Sequence, residues 1–576
     1  MPEAHKHNFI KGAAILAAAS VFVKIIGAVY QIPLIIVIGV EGAGHHLVIH
    51  NVFMMMLTLT TTGITIALSR VVSSAVANGE TVLAKRYFAV ALPTFIIIGV
   101  IATAIMYFFA DPIAIWQHNS LAAPGIRVLA PAILFACVVA VYRGYLQGLE
   151  YMVPTAVTQS VEVVVRSGFG IIVAVLLTRA YYESNLVAAG AITGITISIG
   201  VIIPMLMWFK HRVDKRLMHV HNADNAGKAE KSTVSLKLDE SPEKESMRAA
   251  VTSETSAQTE HQSQSERSAV LSLLMRVSIP ISLGASCMTI MNVINQSIIL
   301  GRLQEVFLYT EQQTIMLFGM YSQALRIYNL PPAIFIPLAV AIVPALAVAI
   351  AKQDKNSSEA IMKSAVKLVS LIAMPAAAGM MVLASPILIA LFGDGNRLTA
   401  DILIILGVAT FLLCLQIVTT AILQAHGHER AAMLTFPIGA VIKLVVGYFL
   451  VAVPGIGILG SPIGTVACFL AICIINFMLI HRRVGINTKF TISLIKPLLC
   501  TLAMAVAAYA TYMLSIHILS GTIERERLLV IFSLVFAIFI AMLLYGVLII
   551  LTRTITMEEM RLLPKGEKIA KFLRIR

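Results

Sequence analysis

The chain has 576 residues, 59% of them hydrophobic and only 12% charged, with a mean hydropathy of +0.89. A soluble globular protein carries about 25% charged residues, so a soluble enzyme or binding module is excluded and a polytopic membrane protein is expected. The net charge of +14 needs no nucleic-acid partner, because basic residues retained on the cytoplasmic side of a membrane protein account for it.

The first apolar run opens Asn8-Phe9-Ile10-Lys11-Gly12 and reaches Ile38, with Lys24 near its middle. A crossing needs about 20 apolar residues, so this run spans. It is too long for the h-region of a cleavable signal, and no A-x-A site follows it. A lysine at bilayer depth costs roughly 2.5–3.5 kcal/mol and belongs on an interior or water-filled face. Val40-Glu41-Gly42-Ala43-Gly44-His45-His46 reads as a short external polar turn, and a second run then carries Met54-Met55-Met56 and Thr58 to Thr62 as packing residues before Arg70. Continued along the chain, the pattern predicts fourteen spans, at 9–38, 49–77, 85–109, 122–146, 154–178, 186–209, 269–299, 315–350, 361–383, 399–424, 430–452, 459–480, 491–516 and 528–552. After 383, Ser385-Pro386 and Phe392-Gly393-Asp394-Gly395-Asn396 leave room for a short re-entrant piece.

The fold class is therefore an all-α integral membrane protein. Residues 210–266 are rich in Ser, Glu, Lys, Thr and Gln and read as a disordered cytoplasmic linker. They divide an N-lobe, 1–209, from a C-lobe, 267–482. Two further spans occupy 483–553, and 554–576 form a basic amphipathic tail. In that tail Ile569, Phe572 and Leu573 oppose Lys568, Lys571 and Arg574, a pattern suited to the anionic inner leaflet. Lys85, Arg86, Lys352, Lys355, Arg430, Arg482 and Arg483 fall on the loops of the terminal side, and Arg179, Arg302, Arg397, Arg525 and Arg527 on the other. Both termini are thus expected in the cytoplasm.

The lobes read as parallel repeats. A shift of 277 brings Leu146-Gln147 onto Leu423-Gln424, Gly170 onto Gly447 and Arg166 onto Lys443. Pro331-Pro332, Pro337 and Pro344 crowd the eighth span and offer either hinges or curved packing.

The intramembrane cations are Lys24, Arg70, Arg143, Arg166, Arg326 and Lys443, and Glu162 is the one clear acid at similar depth. Glu162 lies four residues before Arg166, so a local ion pair is one reading. The unpaired cations point to a cationic chamber for an anionic head group, since arginine forks bind phosphate bidentately and lysine acts as a point charge. Arg70 and Arg143 also fit snorkelling to the interface. Gln31, Asn292, Asn295 and Gln296 are amides that line a chamber or join helices. The substrate-binding set expected from the sequence is Lys24, Arg70, Arg166, Arg326, Lys443, Glu162, Gln31 and Asn295. His45, His46, His50 and Glu41 match no familiar zinc spacing, and the six cysteines form no CxxC pair. No metal, cofactor, catalytic nucleophile or Walker A loop is expected.

The runs Phe9-Ile10-Lys11-Gly12-Ala13-Ala14-Ile15-Leu16, Lys24-Ile25-Ile26-Gly27-Ala28-Val29-Tyr30-Gln31-Ile32-Pro33-Leu34 and Thr61-Thr62-Gly63-Ile64-Thr65-Ile66-Ala67-Leu68-Ser69-Arg70 resemble the MurJ-like lipid II flippases. The nearest branch looks like the stage V sporulation protein B and polysaccharide-biosynthesis flippases of the MATE-like exporter superfamily. The resemblance implies a bacterial cell-membrane transporter with two six-helix lobes around a cationic cavity, working by alternating access as a monomer. It implies a lipid II substrate, an undecaprenyl-pyrophosphate-linked peptidoglycan precursor; the energy comes from a coupling-ion gradient, the membrane potential or substrate supply, between which the sequence does not decide. It places substrate contacts on Lys24, Arg70 and Arg326, and a groove for the polyprenyl tail on the last two spans. Gln31 stands where relatives often carry a basic residue, and the linker is long for a MurJ. The alternatives are a flippase for another polyprenyl-linked polysaccharide, a cation-coupled drug exporter, which would need acids in its chamber, and a membrane glycosyl- or phosphotransferase, which would need clustered carboxylates or histidines.

Overall fold

The structure is a computed structural model that describes residues 3–233, 255–484, 490–521, 523, 525–552 and 554. All regular structure among them is helical. In chain order the helices are α1 (Glu3–Ala77), α2 (Thr81–Phe108), α3 (Ala110–Trp116), α4 (Ala123–Gly148), α5 (Val153–Arg179), α6 (Ser184–Thr233), α7 (Thr255–Phe307), α8 (Glu311–Tyr328) and α9 (Pro332–Ala351). They continue with α10 (Lys355–Val382), α11 (Ala384–Phe392), α12 (Arg397–Ala425), α13 (Glu429–Val451), α14 (Gly460–Leu479), α15 (Phe490–Leu519) and α16 (Glu526–Leu551).

Twelve helices among the described residues are long and apolar enough to cross a membrane, one of them α1 with its kink at Gly39. The first two predicted spans follow one another through Gly39 (φ 72°, ψ 179°), where α1 kinks between two helices, a backbone region open to glycine alone. The expected polar turn at 40–46 is therefore helical, and its glycines serve packing rather than turning. The eighth predicted span is cut at Leu330-Pro331-Pro332 into α8 and α9, because proline removes a backbone donor and clashes with the preceding turn. The expected re-entrant piece is the short helix α11.

The linker also differs from expectation over part of its length. Helix α6 continues to Thr233 and α7 already begins at Thr255, through Ala-, Lys-, Glu- and Gln-containing sequence with good helix propensity. Lys210 Nζ bonds Asp214 Oδ2 at 2.6 Å, and Tyr145 donates to Asp214 Oδ1 at 2.9 Å, which ties this extension to α4. Residues 234–254 and the tail after 554 lie outside the described residues.

The internal repeat is visible in how helices cross. A Cβ on Gly194 of α6 would lie 2.7 Å from the carbonyl oxygen of Arg166 and 2.8 Å from the nitrogen of Gly170, both on α5. A Cβ on Gly464 of α14 would lie 3.0 Å from the carbonyl oxygen of Lys443 and 3.3 Å from the nitrogen of Gly447, both on α13. Each half thus brings two backbones together with a glycine, as membrane helices do when small residues replace hydrophobic driving force. Each crossing sets one cation, Arg166 or Lys443, at the same place. The last two helices pack on α10 and α11: Leu383 shares a buried cluster with Met504, Tyr512 and Leu534, and the Tyr545 hydroxyl donates to the Leu371 carbonyl at 2.8 Å. Away from the spans, Asp354 caps α10 by accepting from the Ser357 hydroxyl at 2.6 Å and its N–H at 3.0 Å, which holds its carboxyl below the usual carboxylate range.

Glu162 does not pair with Arg166. Its carboxylate accepts from Arg143 Nη2 of α4 at 2.9 Å, with side-chain exposures of 21% and 15%, so Arg143 bridges helices instead of snorkelling. Removing one partner of a buried pair costs about 3–5 kcal/mol, less where water reaches it. Glu162→Gln is expected to lower stability by about 1–2 kcal/mol, read as a lower melting temperature in detergent. Adding Arg143→Met should recover much of the loss, since it removes the orphaned charge.

Candidate functional site

Two chambers lie inside the bundle and meet at Arg326. The first, about 540 Å³, lies between α1, α5, α6 and the α8–α9 break. Its polar lining is Lys24, Tyr30, Gln31, Arg166, Arg326 and Asn329, with His46 and His50 at its end, and no carboxylate lines it. Helical spacing explains the α1 contribution: Lys24, Gly27 and Gln31 recur every three or four residues and share one face. Arg326 is carried in by the last turn of α8, just before the prolines stop that helix. Its Nη1 donates to Gln31 Oε1 at 2.7 Å, and its Nε is buried without a partner. No ion pair holds Lys24, Arg166 or Arg326 among the described residues. Three cations lining one space of about 540 Å³, with no acid among its lining residues, make it electropositive and suited to an anion.

The second chamber, about 350 Å³, is the counterpart in the other half. It lies between α7, α8, α13 and α14, with Asn51 from α1, and its lining is amide-rich: Asn51, Asn292, Asn295, Gln296 and Asn329, with Lys443. Asn51 Nδ2 donates to Gln296 Oε1 at 2.7 Å, and Gln296 Nε2 donates to Gln117 Oε1 at 2.7 Å. This amide wire joins α1, α7 and the end of α3.

At the α3 end of the bundle the two halves are tied shut. Glu311 of α8 accepts from the Ser120 hydroxyl at 2.8 Å and from its backbone N–H. Gln304 donates to the His118 carbonyl at 3.0 Å, and Ser297 to the Trp116 carbonyl at 2.7 Å. Below these contacts α1 and α8 touch backbone to backbone, where a Cβ on Gly44 would lie 2.3 Å from the Ile315 oxygen.

Comparison with known proteins agrees with this architecture. Residues 9–222 match the family model described as polysaccharide biosynthesis protein, and residues 316–529 match lipid II flippase MurJ. Three Bacillus subtilis (strain 168) proteins are similar. The uncharacterized membrane protein YabM is 24% identical, over 99% of this chain and 98% of its own. Stage V sporulation protein B is 23% identical over 97% and 98%, and lipid II flippase MurJ 21% identical over 84% and 85%. Among solved structures, lipid II flippase MurJ in an inward closed conformation aligns with TM-score 0.58 at 14% identity, covering 94% of this chain and 98% of that one. An inward-facing multidrug resistance MATE transporter aligns with TM-score 0.58 at 16% identity, covering 81% and 98%. The chain is similar in sequence to polysaccharide-biosynthesis proteins and MurJ flippases, and it shares its fold with MurJ and a MATE transporter. It is a multi-pass membrane protein.

Within this MurJ- and MATE-like frame the residues expected from the sequence divide. Lys24, Gln31, Arg166 and Arg326 meet in the first chamber, whereas Lys443 and Asn295 line the second. Arg70 is exposed near the end of α1 and lines neither chamber, and Glu162 is engaged with Arg143. His45 and His46 are not in an external loop: both are buried within α1, and His46 stacks on His50 with centroids 6.1 Å apart. No group of three His, Cys, Asp or Glu among the described residues is placed to hold a metal ion. Tyr30, His46, His50 and Asn51 also line the chambers, although no charge within an apolar run marks them. Tyr30 could have been found from the α1 face that carries Lys24, Gly27 and Gln31, since it lies three residues after Gly27.

Proposed function

We propose that the chain is a flippase for a polyprenyl-pyrophosphate-linked cell-wall precursor of the lipid II type, carried between leaflets by alternating access. One observation carries this reading: a chamber of about 540 Å³ inside the bundle holds Lys24, Arg166 and Arg326 and no carboxylate. An unneutralised cation at that depth costs several kcal/mol unless water or an anion visits it. A pyrophosphate between two guanidinium forks and an ammonium would form charge-assisted hydrogen bonds with all three. Its neutralisation lowers the cost of moving it past hydrocarbon, while the prenyl chain stays in lipid beside α15 and α16.

In this reading residues 1–209 and 267–482 are the two lobes, both termini are cytoplasmic, and the α3 end faces outward. The first chamber then loads from the cytoplasmic leaflet while the contacts of Ser120, His118 and Trp116 close the outer end. Rocking of the lobes about the α8–α9 break would exchange these states. The acid-free lining disfavours a cation-coupled drug exporter, whose chamber should bind positive charge.

Rescue of flippase-depleted bacteria tests the reading. The wild-type chain should restore growth, and Lys24→Gln, Arg166→Gln and Arg326→Gln, at matched membrane levels, should each fail or rescue weakly. Full rescue by all three would refute the cationic-chamber mechanism.

A further inference from the structure

Outside both chambers, the α3 end of the bundle buries a histidine that the contacts closing it leave unused. His45 is 1% exposed, and both of its ring nitrogens lack a hydrogen-bond partner. The next residue, His46, turns to the end of the first chamber instead. Asn119, in the connection between α3 and α4, is fully buried and faces His45, and neither its amide oxygen nor its amide nitrogen has a formed hydrogen bond. Four polar atoms are thus left open in one buried place. An unmet buried donor or acceptor costs free energy comparable to a lost hydrogen bond. The charged groups that act on His45 are both acids: Glu41, one turn earlier on α1, and Glu311, at the start of α8. Neither carboxylate is in an ion pair among the described residues. Glu311 is the same side chain that accepts from Ser120, the neighbour of Asn119. The other titratable group of the connection, His118, is engaged elsewhere: a Cβ on Gly301 of α7 would lie 2.6 Å from its Nε2.

We propose that His45 is a proton-binding site that closes the outer end of the bundle. A neutral imidazole offers one donor and one acceptor, an imidazolium two donors. In the protonated form Asn119 Oδ1 accepts one N–H, and Glu41 and Glu311 balance the charge. The ring then ties α1 to α8 and to the α3–α4 connection. These groups sit on three segments, so they converge only while the two halves are together. Parting the halves leaves His45 to water and moves Glu311 away, so the closed state holds the proton more tightly. A ligand that binds one state better shifts the population toward it, and protons from the outer solution therefore drive this end shut. Histidine suits the task because its charge change ordinarily falls near neutral pH. A buried water bridging the four open atoms would also satisfy them, but it would leave the closure indifferent to pH. The proposal rests on alternating access as read above, and it names the ligand that favours return to the cytoplasm-facing state.

The test is the distance between two spin labels on the full-length protein in lipid nanodiscs, with no substrate present. The labels are carried on ketone-bearing amino acids in place of Leu121 and Leu308, which are exposed on the two halves at this end. From about pH 5.5 to about pH 8.5, on either side of the ordinary imidazole value, the separated population should rise about fivefold or more, the low end of coupling between a ligand and a conformation. His45→Gln should lose that response and show the alkaline distribution at both pH values. Glu311→Gln keeps an acceptor for Ser120 and removes the counter-charge, so it should shrink the response, and it serves where His45→Gln fails to fold. His118→Gln should leave the response intact. A wild-type distribution that ignores pH, or a response retained in His45→Gln, would overturn the proton site. A protein whose outer end responds to pH but which flips no lipid would instead refute the flippase reading and leave this one standing.

Discussion

Replacing Gly319 by valine is expected to abolish transport and to force the α3 end of the bundle apart. A Cβ at 319 would sit 1.9 Å from the carbonyl oxygen of Val40 and 2.7 Å from its carbon, and on the facing side a Cβ on Gly44 would sit 2.3 Å from the Ile315 oxygen. Both obstacles are backbone, so no rotamer change relieves them. Overpacking a tight contact costs about 1–3 kcal/mol, and a backbone clash sits at or above the top of that range. The helices can escape it by separating, which would loosen the Ser120–Glu311 and Trp116–Ser297 ties that now hold the two halves together. Ser322 is fully buried on α8. A cysteine placed there by Ser322→Cys should resist a water-soluble maleimide in the parent and react in Gly319→Val. Gly168→Ala is the control, because nothing lies within 4 Å of an added Cβ there, and it should leave melting temperature and transport unchanged. A Gly319→Val protein with normal transport and a protected cysteine would show that this contact is not the seal.

Arg326→Gln is expected to do opposite things to stability and activity. The guanidinium makes one hydrogen bond, to the neutral Gln31, has a buried unpartnered Nε, and shares its chamber with Lys24 and Arg166 but no carboxylate. Such a group is a folding liability, since a partly desolvated cation without a counter-ion gains nothing to offset its lost hydration. Glutamine keeps a hydrogen-bonding end and removes the charge, so the melting temperature should rise, by the equivalent of about 1 kcal/mol. Transport should fall about 100-fold, near the 1.5–3 kcal/mol of a lost charged hydrogen bond. Arg326→Lys should fall between, because it retains the charge and loses the planar fork. A variant that loses stability together with activity would point to a structural arginine instead.

Much of this site is legible in the sequence, because a charge within an apolar run is costly and so informative. Lys24, Arg166 and Arg326 stand out for that reason, and all three face one chamber. The 277-residue shift that aligns Arg166 with Lys443 corresponds to a real likeness of helix crossings. What misled the reading was glycine. Glu41-Gly42-Ala43-Gly44-His45-His46 has the composition of a turn, yet only Gly39 leaves helical geometry, and Gly44 is small to admit α8. That single misassignment hid His46 and His50, which end the first chamber. Arg70 failed for a different reason: depth along a helix can be counted from sequence, but the direction of a side chain depends on which neighbour packs where. The same limit concealed the Arg143–Glu162 pair, whose partners lie on different helices, and the wire from Asn51 through Gln296 to Gln117, which joins three segments far apart in the chain.

If the acid-free group of cations in the first chamber receives a pyrophosphate, transport should depend on both the diphosphate and those side chains. The most direct measurement is flipping by the purified full-length protein in liposomes, with fluorescent polyprenyl pyrophosphate and polyprenyl monophosphate lipids carrying the same sugar. The pyrophosphate lipid should cross far faster than the monophosphate, and Lys24→Gln or Arg166→Gln should erase most of that difference. Equal rates for the two lipids, unchanged by either substitution, would contradict it.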